Sequence, residues 1–171
     1  MVRLPGDDTE HAEFEVVIAR SSFPISQGKG RVMSQDPGRD FIARSHRGVL
    51  ATIKRDGRPQ MSNMAYLLDE DGHIKMSTRG PNVKVKNIRR DPRVTVAVQG
   101  ESFADYLVVD GNATIVDENP IPTLKRIYEG IRGEPHPNWQ EFEAAQVQEQ
   151  RVVIDIEIQH MYPVGRLTRS R

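Results

Sequence analysis

Residues 48–100 read GVLATIKRDGRPQMSNMAYLLDEDGHIKMSTRGPNVKVKNIRRDPRVTVAVQG, and this stretch decides the fold. Apolar, β-branched segments flank the Asp-Gly pair at 56–57, and a second Asp-Gly pair follows at 71–72. Two strands joined by an Asp-Gly turn are the strongest short-range signal for a β-hairpin. The stretch therefore predicts three successive strands, then a short basic helix over residues 82–90 and a fourth strand over residues 93–98.

Two further strands follow this stretch. Residues 105–117 predict a long strand interrupted at Gly111, because a glycine within a strand pattern marks a bulge or bend. Residues 151–158 alternate apolar and polar side chains, as a half-buried strand does. Six strands with tight turns and no repeated strand–helix–strand units indicate an antiparallel barrel rather than a parallel sheet.

Three more helices are expected outside the barrel. Residues 34–45 form the first, with Ser34 or Asp36 as its N-cap. Residues 120–131 and 139–150 show apolar residues at helical spacing. The apolar face of the last helix is predicted to contain Trp139, Phe142 and Val147.

The length and composition restrict the class of protein. Residues 1–32 show no sustained period and are expected to form a flexible N-terminal extension, which leaves residues 33–171 as one folded domain. A formal net charge of zero argues against a general attraction to nucleic acid or to a membrane. The chain has no cysteine and no apolar run of membrane-spanning length, so we expect a cytoplasmic protein without disulfides.

A local excess of positive charge lies between residues 79 and 93. Six basic residues against Asp91 alone give this segment a charge of +5 (6 − 1). One interpretation is an anion site, with Pro81 at the first helical position, free N–H groups behind it and Lys84 directed at the same anion. The alternative is a basic face that is simply solvated.

Polar residues on the second predicted strand are the other candidate site. In a strand, Gln60 and Ser62 point to one face while Met61 and Asn63 point to the other, and Thr52 lies opposite on the preceding strand. Such side chains can bind the edge of a heterocycle, or they can pair with one another at a surface.

Other kinds of chemistry find little support in the sequence. The five histidines are scattered without metal-ligand spacing, so no metal site is expected. The sequence also lacks a dinucleotide-binding GxGxxG, a phosphate loop with GK[ST] and a GxSxG elbow.

The segments GVLATIKRDGRPQMSN and MSTRGPNVKVKNIRRDPRVTV resemble the pyridoxamine 5′-phosphate oxidase-like flavoproteins, and most closely their actinobacterial branch that uses coenzyme F-420. The similarity extends over residues 41–162, including the GEPHPNW loop. It implies a mainly β fold with α-helices (α+β): a six-stranded antiparallel split β-barrel of the FMN-binding type with flanking helices. It also implies a homodimer with the cofactor at the interface. Neither a nucleic-acid partner nor a membrane is expected, because the net charge is zero.

The resemblance also assigns candidate cofactor-binding residues. Ring and ribityl contacts are expected from one group, and the phosphate neighbourhood from a second group. The first group is Thr52, Pro59, Gln60 and Asn63; the second is Ser77, Lys84 and Asn87; and Tyr106 reaches the pocket from near the interface.

One departure from the family pattern concerns the phosphate site. The FMN branch has a Ser-Arg-Lys run where this chain has residues 82–84, Asn-Val-Lys, and the deazaflavin branch often has arginine in place of Asn82. Arg79 or Arg55 is the expected substitute. The FMN branch also keeps an arginine in the second strand, where this chain has Ser62 and Asn63, and this difference favours F-420.

The function implied by the resemblance is that of an oxidoreductase. Reduced F-420, an 8-hydroxy-5-deazaflavin, would deliver a hydride to an unsaturated or aromatic small-molecule substrate, such as an enone, a tetrapyrrole, a quinone or a nitroaromatic compound. The alternatives are an FMN-dependent pyridoxamine phosphate oxidase-like enzyme and a non-catalytic carrier or sensor of F-420 or a tetrapyrrole. No residue is assigned as a catalytic acid or base.

Overall fold

A computed structural model describes residues 36–164, and that part of the chain contains four helices and seven strands. In chain order the elements are α1 (Pro37–Arg44), β1 (Arg47–Ile53), β2 (Pro59–Ala65), β3 (Leu67–Leu68), β4 (Ile74–Arg79), α2 (Val83–Arg90), β5 (Arg93–Gln99), β6 (Tyr106–Val116), α3 (Ile121–Arg132), α4 (Trp139–Gln148) and β7 (Arg151–Val164). The extension expected over residues 1–32 lies outside the described residues.

All seven strands form a single antiparallel sheet in the order β2-β1-β5-β6-β7-β4-β3. The sheet curls into a half-barrel with helices around it, which confirms the predicted mainly β split-barrel class. Because β2 and β3 are the two edges of this sheet, the curled wall is open beside β2. This opening is where the candidate site lies.

The strand count differs from the six that were predicted, because the second predicted strand divides at Tyr66. The Tyr66 side chain is fully buried, and its hydroxyl donates a hydrogen bond to the Ile42 carbonyl at 2.9 Å. The main chain leaves β1 there, so Leu67 and Leu68 pair with β4 instead. Both Asp-Gly turns form as predicted, with positive φ at Gly57 (81°) and Gly72 (79°).

The helix ends follow the local sequence signals. Asp36, one of the two predicted caps, accepts hydrogen bonds from the N–H groups of Gly38 (2.9 Å) and Arg39 (3.2 Å) at the start of α1. The interruption predicted at Gly111 is observed in β6 as a register shift between Asp110 and Gly111. A Cβ atom at Gly111 would lie 2.5 Å from the Glu157 carbonyl oxygen, so the close approach of β6 and β7 requires glycine there.

Two apolar clusters hold the sheet and its helices together. The larger one fills the inner face of the sheet and includes Leu50, Val96, Leu107, Ile154 and Ile156. On the outer face, α3 packs Leu124 and Ile127 against Val153. The helix approaches closely at Gly130, where an added Cβ atom would lie 2.4 Å from Leu67 Cδ1.

The C-terminal elements differ from the predictions in two respects. Val147, expected on the apolar face of α4, is 70% exposed, because that helix contacts the rest of the domain mainly through its first turns. The last strand continues to Val164 rather than ending at Ile158, since it pairs with the whole length of β6. Within residues 36–164, no helix has the length and apolar character needed to cross a bilayer.

Candidate functional site

The short basic helix α2 lies at the open side of the half-barrel. It begins at Val83 with Asn82 as its N-cap, so the expectation that Pro81 occupies the first helical position is wrong. Asn82 does not cap the helix with its side chain. Instead, its Nδ2 donates to Thr78 Oγ1 at 3.1 Å, and this bond ties the start of α2 to the end of β4.

The first turn of α2 has the properties of an anion site. No described residue accepts a hydrogen bond from the N–H groups of Val83 and Lys84, and such free groups at a helix N-terminus favour negative charge. The Lys84 ammonium is half-buried and forms no ion pair with any residue in the described range. Burial lowers the pKa of Lys84, and the nearby Arg151 guanidinium lowers it further.

Other basic residues of the segment are neutralised within the fold. Arg89 pairs with Asp117 at 2.7 Å, and Arg93 pairs with Asp91 at 2.7 Å. The hydrogen bond from Arg93 lowers the pKa of Asp91 to about 2. Lys84 contrasts with these residues, because its charge has no such partner in the described part of the chain.

Three predicted site residues meet in a buried hydrogen-bond network between α2, β1 and β2. Asn87 Nδ2 donates to Thr52 Oγ1 at 3.0 Å, and Thr52 Oγ1 donates to Gln60 Oε1 at 3.0 Å. Gln60 Nε2 in turn donates to Ser62 Oγ at 2.7 Å and to the Met61 carbonyl at 3.0 Å. Thr52 is 1% exposed and Asn87 is 3% exposed, so both side chains are enclosed by protein.

A basic groove of about 500 Å³ separates α2 from the turn between β1 and β2. Its charged lining is four basic residues against one acid. Lys54 and Arg55 come from the turn, Lys86 and Arg90 come from α2, and Asp56 is the acid. The Arg58 side chain pairs with Asp56 at 2.5 Å and lowers the pKa of that carboxyl group. With four basic residues against this one acid, the lining carries a net positive charge at neutral pH. This groove would attract an extended anion.

A second groove, of about 430 Å³, runs along the outer face of β1, β5 and β6. It passes the bulge in β6, and its polar groups include Thr95 and Asp110, whose side chains are hydrogen-bonded at 2.6 Å. Ile53 and Pro59 line its β1–β2 end. Its size suits a small organic molecule.

The remaining predicted site residues take no part in this hydrogen-bond network. Pro59 and Asn63 lie on β2 opposite Ile53 and Val49, with exposed side chains. Tyr106 is 38% exposed at the start of β6. Ser77 lies directly opposite Val153, so it shares the sheet face that α3 covers, whereas Thr52 and Gln60 do not.

The structure adds two groups to the cofactor-binding residues that the family resemblance assigned. Ser62 receives the last hydrogen bond of the network, and strand alternation already placed it on the same face as Gln60. Arg90 donates to Asn87 Oδ1 at 3.3 Å and also to the Ile53 carbonyl. No sequence signal separates Arg90 from its basic neighbours.

A cluster of potential metal ligands lies elsewhere, where the turn before β4 meets β7. The ligand atoms of Asp71, His73 and Asp155 lie within 4.8 Å of one another. The Lys75 ammonium binds both carboxylates, at 2.6 Å to Asp71 and 2.5 Å to Asp155. The lysine therefore supplies the positive charge that this cluster requires.

Comparison with known proteins identifies the kind of fold and its relatives. A profile of the family described as Pyridoxamine 5'-phosphate oxidase matches residues 35–165. The conserved hypothetical protein Rv2991 from Mycobacterium tuberculosis is 29% identical with a TM-score of 0.64, over 85% of this chain and 93% of its own.

Two further solved structures share the fold at lower identity. One described as an F420 reductase is 22% identical with a TM-score of 0.57, over 77% of this chain and 98% of its own. A putative pyridoxamine 5'-phosphate oxidase from Listeria innocua is 23% identical with a TM-score of 0.53, over 72% of this chain and 92% of its own.

Proposed function

We propose that this chain, which belongs to the pyridoxamine 5′-phosphate oxidase family, is an oxidoreductase that uses coenzyme F-420. The family fold supports an oxidoreductase of the flavin or deazaflavin type. The choice of F-420 rests on the distribution of positive charge around α2, and a solved structure described as an F420 reductase shares the fold.

The observation that carries the proposal is the ammonium of Lys84, which forms no ion pair with any residue between 36 and 164. A half-buried lysine beside a second cation is electrostatically unfavourable, and a bound anion would remove the penalty. The free N–H groups of Val83 and Lys84 would donate to the same anion. Phosphate oxygens are suitable acceptors for both, so these residues fit the phosphodiester of F-420 and equally the phosphate of FMN.

The basic groove favours F-420 over FMN. F-420 carries an anionic oligoglutamate tail beyond its phosphodiester, whereas FMN ends at the phosphate. Lys86 and Arg90 line one side of the groove and Arg55 the other, which provides cations for successive carboxylates. Arg55 would then replace part of the arginine contact that the deazaflavin branch often has at the position of Asn82.

When bound, reduced F-420 supplies a hydride from C5 of its ring to an electron-poor unsaturated or aromatic acceptor. The chain would contribute position, charge and a partly enclosed site. Lys84 would hold the phosphodiester, while the network ending at Gln60 and Ser62 would orient the ring edge.

A second copy of the chain would complete this site. Met61, Tyr106 and Tyr162 place large apolar side chains on the outer face of β2, β6 and β7, and they are 64%, 38% and 48% exposed. Contact with a second copy would bury them and enclose the outer groove. A monomer at micromolar concentration by light scattering, with and without cofactor, would contradict this arrangement.

Paired titration of the purified protein with F-420 and with FMN tests the choice of cofactor. F-420 is expected to bind more tightly, and its affinity should increase with the number of glutamates in its tail because each adds charge for the basic groove. Tighter FMN binding, or a yellow protein with a flavin spectrum, would favour the FMN-dependent alternative.

Turnover is tested with reduced F-420 and a panel of acceptors that contains enones, quinones, nitroaromatics and a tetrapyrrole. Reoxidation of the cofactor above the protein-free rate is expected with at least one class. Tight F-420 binding without turnover of any acceptor would favour the carrier or sensor.

A further inference from the structure

We propose that the Ser62 hydroxyl is a preoriented hydrogen-bond donor to the cofactor ring, and that Arg90, Asn87, Thr52 and Gln60 act as positioning residues that fix its direction. The ligand atom that Ser62 recognises would be an acceptor, such as a carbonyl oxygen or an unprotonated ring nitrogen of a planar heterocycle. The identity of that ligand rests on the function proposed above.

The direction of the network is set first by Arg90. A guanidinium only donates hydrogen bonds, so the Asn87 atom that faces Arg90 at 3.3 Å must be the amide oxygen. Asn87 therefore directs its amide nitrogen at Thr52, 3.0 Å away. Since an amide nitrogen also only donates, the Thr52 hydroxyl accepts this bond, and its own hydrogen points elsewhere.

The same reasoning continues through Gln60. The Thr52 hydrogen is directed at Gln60 Oε1, which lies 3.0 Å away, closer than the Gln60 main-chain oxygen at 3.5 Å. Gln60 Nε2 must then face the Met61 carbonyl at 3.0 Å, an atom that can only accept. The Gln60 amide is thus oriented from both sides, and Nε2 donates its other hydrogen to Ser62 Oγ at 2.7 Å.

Ser62 is where the network ends. Its oxygen accepts from Gln60, and its hydrogen has no acceptor among residues 36–164. The side chain is half-buried on β2, an edge strand at the opening of the half-barrel. A half-buried hydroxyl whose hydrogen has no acceptor among the described residues can donate to a ligand there. It carries no charge, so it would contribute to orientation and to ring selectivity rather than to anion binding.

Replacement of Ser62 tests the donor. Ser62→Ala is expected to weaken F-420 binding about threefold to tenfold, the effect of one uncharged hydrogen bond, and to shift the absorption band of the bound cofactor. Ser62→Thr retains the hydroxyl on a strand and is expected to bind as the wild type does. Unchanged affinity and an unchanged spectrum in Ser62→Ala, measured by fluorescence and absorbance titration, would overturn the proposal.

Gln60→Glu tests the direction, because a carboxylate can only accept and would draw the Ser62 hydrogen back toward itself. The variant is expected to weaken F-420 binding more than Ser62→Ala does. Introduced together with Ser62→Ala, it should cost less than it does alone, since part of its effect passes through Ser62. Equal costs in the two backgrounds would show that Gln60 acts by charge alone and would overturn its positioning role.

A ligand-free measurement separates this inference from the proposed function. In the side-chain amide NMR spectrum of the unbound protein, Ser62→Ala should shift the Gln60 resonances clearly and the Asn87 resonances little. A Gln60 signal that does not respond would overturn the network direction without any cofactor present. Failure of the wild type to bind either F-420 or FMN would instead overturn the proposed function. The NMR spectrum would still decide the direction of the hydrogen-bond network.

Discussion

Two lysines, both withdrawn from solvent, have opposite surroundings in this molecule. Lys75, on β4, is 4% exposed and binds the carboxylates of Asp155 at 2.5 Å and Asp71 at 2.6 Å. Burial alone would lower its pKa, but these two carboxylates raise it above the ordinary value. Lys84, on α2, has no carboxylate partner among the described residues, and its pKa is lowered.

The difference separates a lysine that holds the fold together from one that is available to a ligand. The charge of Lys75 is satisfied within the chain, so it contributes to folding and offers little to a bound molecule. The unfavourable state of Lys84 is what a bound anion would relieve. Burial by itself therefore does not identify a functional lysine, whereas burial without a counter-charge does suggest one.

Lys75→Met tests whether Lys75 stabilises the fold, and it should have the largest effect. It leaves Asp71 and Asp155 together without their shared cation, and removal of one partner from a buried ion pair costs about 3–5 kcal/mol. Because both carboxylates keep partial access to water, we expect a loss near 3 kcal/mol in urea denaturation. A loss below that of the exposed-pair variant Arg89→Met would contradict the structural role of Lys75.

Lys84→Met should weaken ligand binding without lowering stability, the opposite of Lys75→Met. Methionine retains the apolar stem, so the unbound protein is expected to be as stable as the wild type or slightly more stable. F-420 binding should weaken by about 1.5–3 kcal/mol, the range for a hydrogen bond to a charged group. Isothermal titration and thermal unfolding measure the two effects.

Arg89→Met is the matched control for that variant, since Arg89 lies on the same helix but its charge is already paired with Asp117. It should leave F-420 affinity unchanged. Equal weakening by the two variants would mean that only net charge matters and that Lys84 is not in the site.

Inorganic phosphate provides a smaller test of the same contrast. An anion that binds the folded state raises the unfolding temperature, and a weak ligand near its dissociation constant should raise it by about 1–3 °C. The wild type and Lys75→Met should both respond, whereas Lys84→Met should not. Chloride at matched ionic strength is the control, and an equal response to both salts would contradict a specific phosphate site.

His46 is a third partly buried basic group, and we expect its replacement to have the smallest effect on stability. Burial lowers the pKa of His46 below 6.5, although its hydrogen bond to the Tyr66 carbonyl acts in the opposite direction. The unfolded chain therefore takes up more protons as the pH falls from about 6.5 toward the lower folded pKa, and stability decreases over that range. His46→Asn, which keeps a donor but does not titrate, should flatten this part of the stability profile. A slope that persists in His46→Asn would assign the pH dependence to another group.

Local signals predicted much of the fold. The Asp-Gly turns, the Asp36 cap and the bulge at Gly111 each depend on a few neighbouring residues, which the sequence displays directly. The division of the second strand at Tyr66 was not predictable in the same way. It depends on a hydrogen bond to Ile42, which is distant along the chain.

The candidate site was predictable in its residues but not in their arrangement. The polar residues of β2 and the charge of α2 were visible in the sequence, yet nothing in it showed that Thr52 and Asn87 bond to each other and are enclosed. Ser77 was expected near the phosphate, but sheet register places it on the face that α3 covers. Such outcomes depend on long-range pairing, which local patterns do not specify.

The contact between Gly130 and Leu67 has a consequence for protein engineering. Replacing an exposed mid-helix glycine with alanine is a standard route to higher thermostability, because it favours the helix by roughly 1 kcal/mol. Here the added methyl group would lie 2.4 Å from Leu67 Cδ1, so the Leu67 side chain would have to leave its position between α3 and the short edge strand β3. The gain in helix propensity at this position is therefore offset by the displacement of a side chain that packs against α3.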